Sequence, residues 1–239
     1  MPTTLSLVLP AYNEALRLPR YLPAVRKHLA DCYGDQYEVL VVDDGSTDGL
    51  PAILDSFAAD WPQLHTIRHA ENRGKGMAVR TGMLAAGGEL ILFADADGAT
   101  PIEEQAHLAA AIRAGADVAI GSRLIARDQA NCDRNWLRGA AGRAFAALAR
   151  QMLRLPIRDT QCGFKMFRGA VARQLFEPLH ESGFLFDLEV LAGAGRLGYK
   201  IVELPIHWTE MPGGHFNLAG QIPHVLAGLW RLRRRLAEK

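Results

Sequence analysis

The segment Phe93-Ala94-Asp95-Ala96-Asp97-Gly98 ends an apolar run, residues 89–93, in two carboxylates one residue apart. A buried strand with this sequence delivers both acids to its carboxyl end, the edge at which open α/β sheets bind ligands. Two carboxylates there can hold a divalent cation, and the cation can hold a diphosphate. Asp97 is the expected direct ligand; Asp95 can share the metal or accept a hydrogen bond from a ribose hydroxyl. A second acidic pair, Asp43-Asp44, ends the apolar run 39–42 in the same way. One carboxylate of that pair suits a nucleobase ring N–H, and Asp48 in the turn beyond suits a helix cap.

Cations stand near these acids. Asn72-Arg73-Gly74-Lys75-Gly76 offers close backbone approach and a positive charge from Lys75 or Arg73, although it lacks the spacing of a Walker loop. Arg123 follows a predicted strand on the same edge, where a guanidinium fork suits a phosphate. Arg143 and Arg138 are weaker candidates for the same work. Asp159, in the loop Asp159-Thr160-Gln161-Cys162-Gly163-Phe164-Lys165, can face an acceptor as a base. The run Gly193-Ala194-Gly195-Arg196-Leu197-Gly198 matches G-x-G-x-x-G but follows a helical pattern, so it reads as a helix-ending turn. No HExxH or G-x-S-x-G occurs, which leaves metalloprotease and acyl-transfer chemistry without support.

The elements that must position these residues alternate between strand and helix. Strands are predicted over 5–9, 37–42, 64–68, 89–94, 117–121, 164–168 and 199–208, the last an edge strand because Pro205 interrupts it. Helices are predicted from the region of Asn13, as a cap, through Leu29 despite Pro19 and Pro23, and over 52–58, 75–86, 136–153, 170–176 and 187–195. Pro101 is expected to start a further helix capped by Thr100. The fold class is α/β: a mostly parallel sheet with helices on both faces in a single domain, residues 1–217, followed by a basic amphipathic tail, 218–239.

Composition narrows the function. Hydrophobic residues make 49% of the 239 and charged ones 22%, enough for a sizeable core, and the formal net charge is +1. That balance argues against nucleic acid as a partner. Three scattered cysteines without CxxC read as free thiols in a reducing compartment. There is no basic leader, and the longest uncharged stretch, 211–230, contains Asn217, Gln221, Pro223 and His224. The expectation is a cytoplasmic protein, peripheral at the cytoplasmic face of a membrane through its tail, where arginines crowd beside Leu229, Trp230 and Leu232.

Val8-Leu9-Pro10-Ala11-Tyr12-Asn13-Glu14, Val41-Val42-Asp43-Asp44-Gly45-Ser46-Thr47-Asp48, Asn72-x-Gly74-Lys75-Gly76 and Asp95-Ala96-Asp97 resemble the family 2 glycosyltransferases of the GT-A (Rossmann-like) fold. The resemblance covers about residues 5–210. Asp159 to Lys165, Phe186-Asp187-x-Glu189 and Trp208-Thr209-Glu210 resemble the polyprenyl-phosphate branch, in particular the dolichyl-phosphate β-glucosyltransferases. The resemblance implies inverting, metal-dependent transfer of a hexose, glucose, from a UDP-sugar to a polyprenyl phosphate, with Mg²⁺ or Mn²⁺ as cofactor. It further implies that Pro10, Tyr12, Glu14, Asp44 and Lys75 hold the nucleotide, Asp95 and Asp97 the ribose and metal, and Arg123 and Arg143 phosphate groups, with Asp159 at a catalytic acid position. Hydrophobic membrane segments, usual in that branch, are not evident here. Two alternatives are a family 2 enzyme acting on a saccharide or small alcohol, which needs a working base, and a nucleotidyltransferase or nucleotide-sugar-binding module.

Overall fold

The computed structural model describes residues 3–125, 157–211, 228–232 and 234–235. Seven strands form one sheet: β1 (Leu5–Ala11), β2 (Tyr37–Asp43), β3 (Leu64–Arg68), β4 (Leu90–Ala94), β5 (Val118–Ser122), β6 (Phe164–Arg168) and β7 (Ile201–Pro205). Their order is β3-β2-β1-β4-β6-β5-β7. β1 is parallel to β2 and β4, β2 to β3, and β5 to β7. β6 alone runs against its neighbours, β4 and β5.

Two consequences of this topology build the site. The chain lays β2 and β3 on one side of β1, then returns to place β4 on the other. The carboxyl ends of β1, β2 and β4 therefore flank a switch point, the crevice where α/β sheets take ligands. In register, Ala11 pairs with Asp43 and Val8 with Phe93, so both acidic pairs leave the sheet at one rim. β6, being reversed, presents its beginning at that rim: Phe164 pairs with Ala94. The loop before β6 thus joins the loops that follow the parallel strands.

Alternation along the strands feeds two cores. Leu7, Leu9, Val39, Val41 and Leu92 face α1 (Leu18–Tyr33), α2 (Leu50–Ala58) and α4 (Gln105–Arg113). Val8, Leu40, Ile91 and Phe93 face α3 (Lys75–Ala85), α5 (Gly169–Phe176) and α6 (Phe186–Arg196). Central strands buried on both faces read as continuous apolar runs, which is why they stand out in the sequence. Leu229 and Leu232 of the tail are also buried in the second core.

Several local expectations change. Asn13 does not cap α1. It takes the left-handed conformation (φ 56°), its N–H donates to Ser46 Oγ at 2.9 Å, and its Oδ1 accepts the Thr47 N–H at 2.9 Å. The helix begins instead at Leu18, with Pro19 in the first turn, and runs through Pro23 to Tyr33. Pro101 precedes a 3₁₀ turn, Ile102–Glu104, that leads into α4, so Thr100 is not a cap. Gly193 and Gly195 lie in the last turns of α6, and Gly198 (φ 73°) lies just past its end, as a helix stop requires. The predicted helix 136–153 falls outside the described residues.

Candidate active site

Asp43 and Asp44 are both buried at the end of β2, but their oxygens differ. Asp44 accepts three hydrogen bonds: Oδ1 receives His69 Nδ1 at 2.6 Å and the Arg73 N–H at 2.9 Å, and Oδ2 receives the Gly74 N–H at 2.8 Å. It fixes the loop that leads to Lys75. Asp43 Oδ1 accepts the Ser46 N–H at 2.8 Å, while its Oδ2 has no hydrogen bond and only Arg68 Nε at 3.2 Å beside it, out of line. Asp44, expected at the nucleotide, keeps one acceptor position on Oδ2, and the buried Oδ2 of its neighbour Asp43 accepts no hydrogen bond at all.

At the end of β4, Asp95 and Asp97 point to the rim with different company. Lys75 Nζ lies 2.6 Å from Asp95 Oδ1. Asp97 Oδ1 accepts the Ala99 N–H at 3.0 Å, while Oδ2 faces outward, with Arg17 Nη1 4.0 Å away. Glu14, expected at the nucleotide, accepts from Arg17 through Nε at 2.7 Å and through Nη2, and burial raises its pKa despite that guanidinium. Pro10 closes β1 one residue before its end, and Tyr12, 46% exposed, stands just beyond it at the same rim.

Lys75, the first residue of α3, sits between the rings of Phe93 (5.6 Å to the centroid) and Phe184 (5.8 Å). Burial opposes its charge, but Asp95 and Asp187 outweigh burial and raise its pKa, so the ammonium stays protonated. Behind it lies a pair that sequence reasoning missed. Lys165, 1% exposed, donates to Asp187 Oδ1 at 2.6 Å and to the Cys162 carbonyl, and its Nζ is 5.8 Å from the same Phe93 centroid. Burial pushes the Asp187 carboxyl up against the pull of Lys165. Lysine is among the residues least often buried, so nothing in the local pattern marks Lys165 as internal.

Arg123 and Asp159, expected as separate contributors, are partners. Arg123 Nε and Nη2 donate to Asp159 Oδ2 and Oδ1, each at 2.8 Å, and the Arg123 N–H adds a third bond at 2.9 Å. The Trp208 ring stacks 5.6 Å from the guanidinium. Glu203 receives the backbone N–H of Asp159 at 2.7 Å and of Arg158 at 2.9 Å, fixing the loop. Burial alone would raise the Asp159 pKa; the fork from Arg123 outweighs it and holds the carboxyl below its usual range. Such a group is a weak proton acceptor near neutrality. Arg143 and Arg138 lie outside the described residues. Cys162 is buried and its thiol is pushed up to about 12 by burial, so it offers no thiolate.

Among the described residues no cluster of three or more His, Cys, Asp or Glu side chains could hold a metal. Asp97 Oδ2 and Asp95 Oδ2 accept no hydrogen bond among the described residues, and Asp95 Oδ1 lies 2.6 Å from Lys75 Nζ. This fits a hard cation of the Mg²⁺ or Mn²⁺ type, bound by one or two carboxylates with the remaining positions taken by substrate phosphates and water. Gly163 shapes the place: a Cβ there would lie 2.1 Å from Asp95 Oδ2. Gly163→Ala is therefore expected to displace Asp95 and to cost about 1–3 kcal/mol as an overpacked site, read as a lower denaturation midpoint together with weaker nucleotide affinity in titration calorimetry.

Acidic strand ends gathered at the switch point of a doubly flanked sheet mark a candidate ligand site, and similarity to known proteins gives the class. Residues 6–176 match glycosyl transferase family 2. The chain belongs to that family and is a glycosyltransferase with the GT-A fold. Its sequence is 38% identical over 232 residues to the dolichyl-phosphate beta-glucosyltransferase of Saccharomyces cerevisiae, covering 90% of this chain and 70% of the yeast protein. The fold superposes on glucosyl-3-phosphoglycerate synthase from Mycobacterium tuberculosis, in complex with Mn²⁺ and uridine-diphosphate-glucose, with a TM-score of 0.68 at 18% identity, covering 97% of this chain and 79% of that one. It also superposes on S. aureus TarS 1–349 (TM-score 0.63, 19% identity), spanning 98% of this chain and 65% of that one.

Proposed function

We propose that the protein transfers glucose from UDP-glucose to a polyprenyl (dolichyl-type) phosphate, with inversion at C1 and dependence on Mg²⁺ or Mn²⁺. The observation that carries the choice of acceptor is the state of Asp159, bonded through both oxygens to Arg123 and held below the ordinary carboxylate range. An alcohol acceptor must lose a proton as it attacks, which calls for a base poised near the working pH. A phosphate monoester has a second pKa of about 6 and arrives already anionic. The yeast relative's name supports the same acceptor, and the M. tuberculosis complex supports a UDP-glucose donor with Mn²⁺.

In this reading a phosphate oxygen attacks C1, the bond from C1 to the diphosphate oxygen breaks, and UDP leaves. Asp97 would hold the cation, whose chemistry is to neutralise charge on the diphosphate. Lys75 adds a fixed positive charge beside Asp95. Asp43 Oδ2 takes the nucleobase N–H once Arg68, whose side chain is 54% exposed, moves aside. Pro10 and Tyr12 line the nucleotide, and Glu14 acts through Arg17. Arg123, ordered by Asp159, faces the acceptor phosphate, with Arg143 as a second cation. Residues 1–217 form the catalytic domain, and the tail 218–239 places it at the cytoplasmic face of a membrane. No helix among the described residues is long and apolar enough to cross one. Trp230 is 60% exposed, and arginines 231, 234 and 235 share its helix, which suits an anionic headgroup layer at about 1 kcal/mol per cation.

The test is UDP release from UDP-glucose with and without a short polyprenyl phosphate. Stimulation by the phosphate and none by free sugars or alcohols is expected. Equal release without lipid phosphate, or release of UMP or pyrophosphate in place of UDP, sinks the proposal.

A further inference from the structure

The Gly74–Gly76 turn that carries Lys75 is gripped from outside by residues 181–185. The Gly76 N–H donates to the Ser182 carbonyl at 2.7 Å. A Cβ on Gly74 would lie 2.5 Å from that same oxygen, and one on Gly76 would lie 2.3 Å from the Glu181 oxygen, so the two backbones touch. Phe184 places its ring 5.8 Å from Lys75 Nζ. Glu189 of α6 receives the N–H groups of His180 and Glu181 at 3.2 and 2.8 Å and fixes one end of the segment.

The other side of this segment is the seat of the C-terminal helical residues 228–232, 234 and 235. Leu229 and Leu232 are completely buried in the core that also contains Leu185 and Phe186. The Gly228 backbone lies against Leu185: a Cβ there would come within 2.3 Å of Leu185 Cδ1. Arg235 Nη1 donates to Glu181 Oε1 at 3.2 Å. Helix, segment, turn, ammonium and carboxylate thus form an unbroken series of packed contacts from Arg235 to Asp95.

We propose that the C-terminal helix is part of the donor site, with Glu181, Leu185, Gly228 and Arg235 acting as positioning residues for Lys75. The proposal rests on Lys75 meeting the donor diphosphate. A contiguous series of contacts can carry a displacement between sites where backbones touch and side chains have no room to absorb it. The helix that bears the membrane-facing Trp230 thereby also sets the affinity for the nucleotide.

The full chain is titrated with UDP and Mn²⁺ by calorimetry and assayed for donor and acceptor KM. Lys75→Met is the control that must weaken UDP binding; unchanged binding removes the assignment of Lys75 to the donor, and with it this proposal. Arg235→Glu is expected to weaken UDP binding about two- to fivefold, the size of an exposed ion pair, raising donor KM while acceptor KM stays at the wild-type value. Combining it with Glu181→Arg should restore binding, a rescue that loss of folding does not produce. Gly228→Ala, whose Cβ would displace Leu185 in the segment that grips the Lys75 turn, is expected to weaken UDP binding about tenfold, since small misplacements of a positioning group are costly. Wild-type UDP affinity in both Arg235→Glu and Gly228→Ala, alongside a loss in Lys75→Met, overturns the proposal, as does a rise confined to acceptor KM.

Discussion

Asp97→Ala is expected to lower kcat by about 10³-fold, the effect of removing several kcal/mol of charge stabilisation from the transition state. Its structural cost should be small. Asp97 is partly exposed and makes one hydrogen bond, to the Ala99 N–H, worth about 1 kcal/mol. Turnover and stability therefore separate at this residue. The independent readout is nucleotide-dependent stabilisation. Wild-type protein with UDP and Mn²⁺ at a hundredfold excess over the dissociation constant gains about 2.7 kcal/mol, and the Mn²⁺-dependent part of that gain should vanish in Asp97→Ala. Asp95→Ala should behave differently, because it strands the Lys75 ammonium that Asp95 now neutralises. An Asp97→Ala protein with wild-type kcat, or with an undiminished Mn²⁺-dependent shift, removes Asp97 from the metal site.

The rim was readable wherever a residue's role follows from its position along the chain. The strand that ends in Asp95 and Asp97 is apolar throughout because both of its faces are buried, and the acids mark its exit from the core. In β2 the buried apolar run 39–42 likewise ends in Asp43-Asp44. What escaped the sequence depends on direction and on partners distant in the chain. A strand over 164–168 was legible, but not that it runs antiparallel to β4, and this reversal brings Asp159 and Gly163 to the rim from the opposite chain direction. Arg123 and Asp159 are 36 residues apart and each resembles a surface polar residue when read alone. The division of labour between Asp43 and Asp44 is set by His69, Arg73 and Gly74, which arrive from another loop. Lys165 and Asp187 satisfy each other inside the core, where composition predicts neither. The Asn13 side chain that favours caps also tolerates the left-handed turn it adopts, so residue type alone does not separate the two.

Asp159→Asn is expected to destabilise the protein by about 3 kcal/mol at neutral pH, the lower end for removing one partner of a buried ion pair, because the Arg123 side chain is still a quarter exposed. The pH dependence has a definite sign. The folded Asp159 carboxyl titrates below its ordinary value of about 3.9. Its stabilisation is then fully present above that value and is lost as pH falls through the lower, folded value. Denaturant melts of wild type and Asp159→Asn should differ at pH 7 and converge in strong acid. Activity should fall as well, by about a hundredfold in kcat/KM for the lipid phosphate, because Arg123 loses the fork that aims it. The pH–rate profile decides between positioning and proton transfer. A carboxylate that orients Arg123 leaves the profile's limbs near neutrality where they were, with only the amplitude reduced. A general base in Asp159 would instead yield an Asn variant whose profile has lost its acid limb, and that result would move the acceptor from phosphate to hydroxyl.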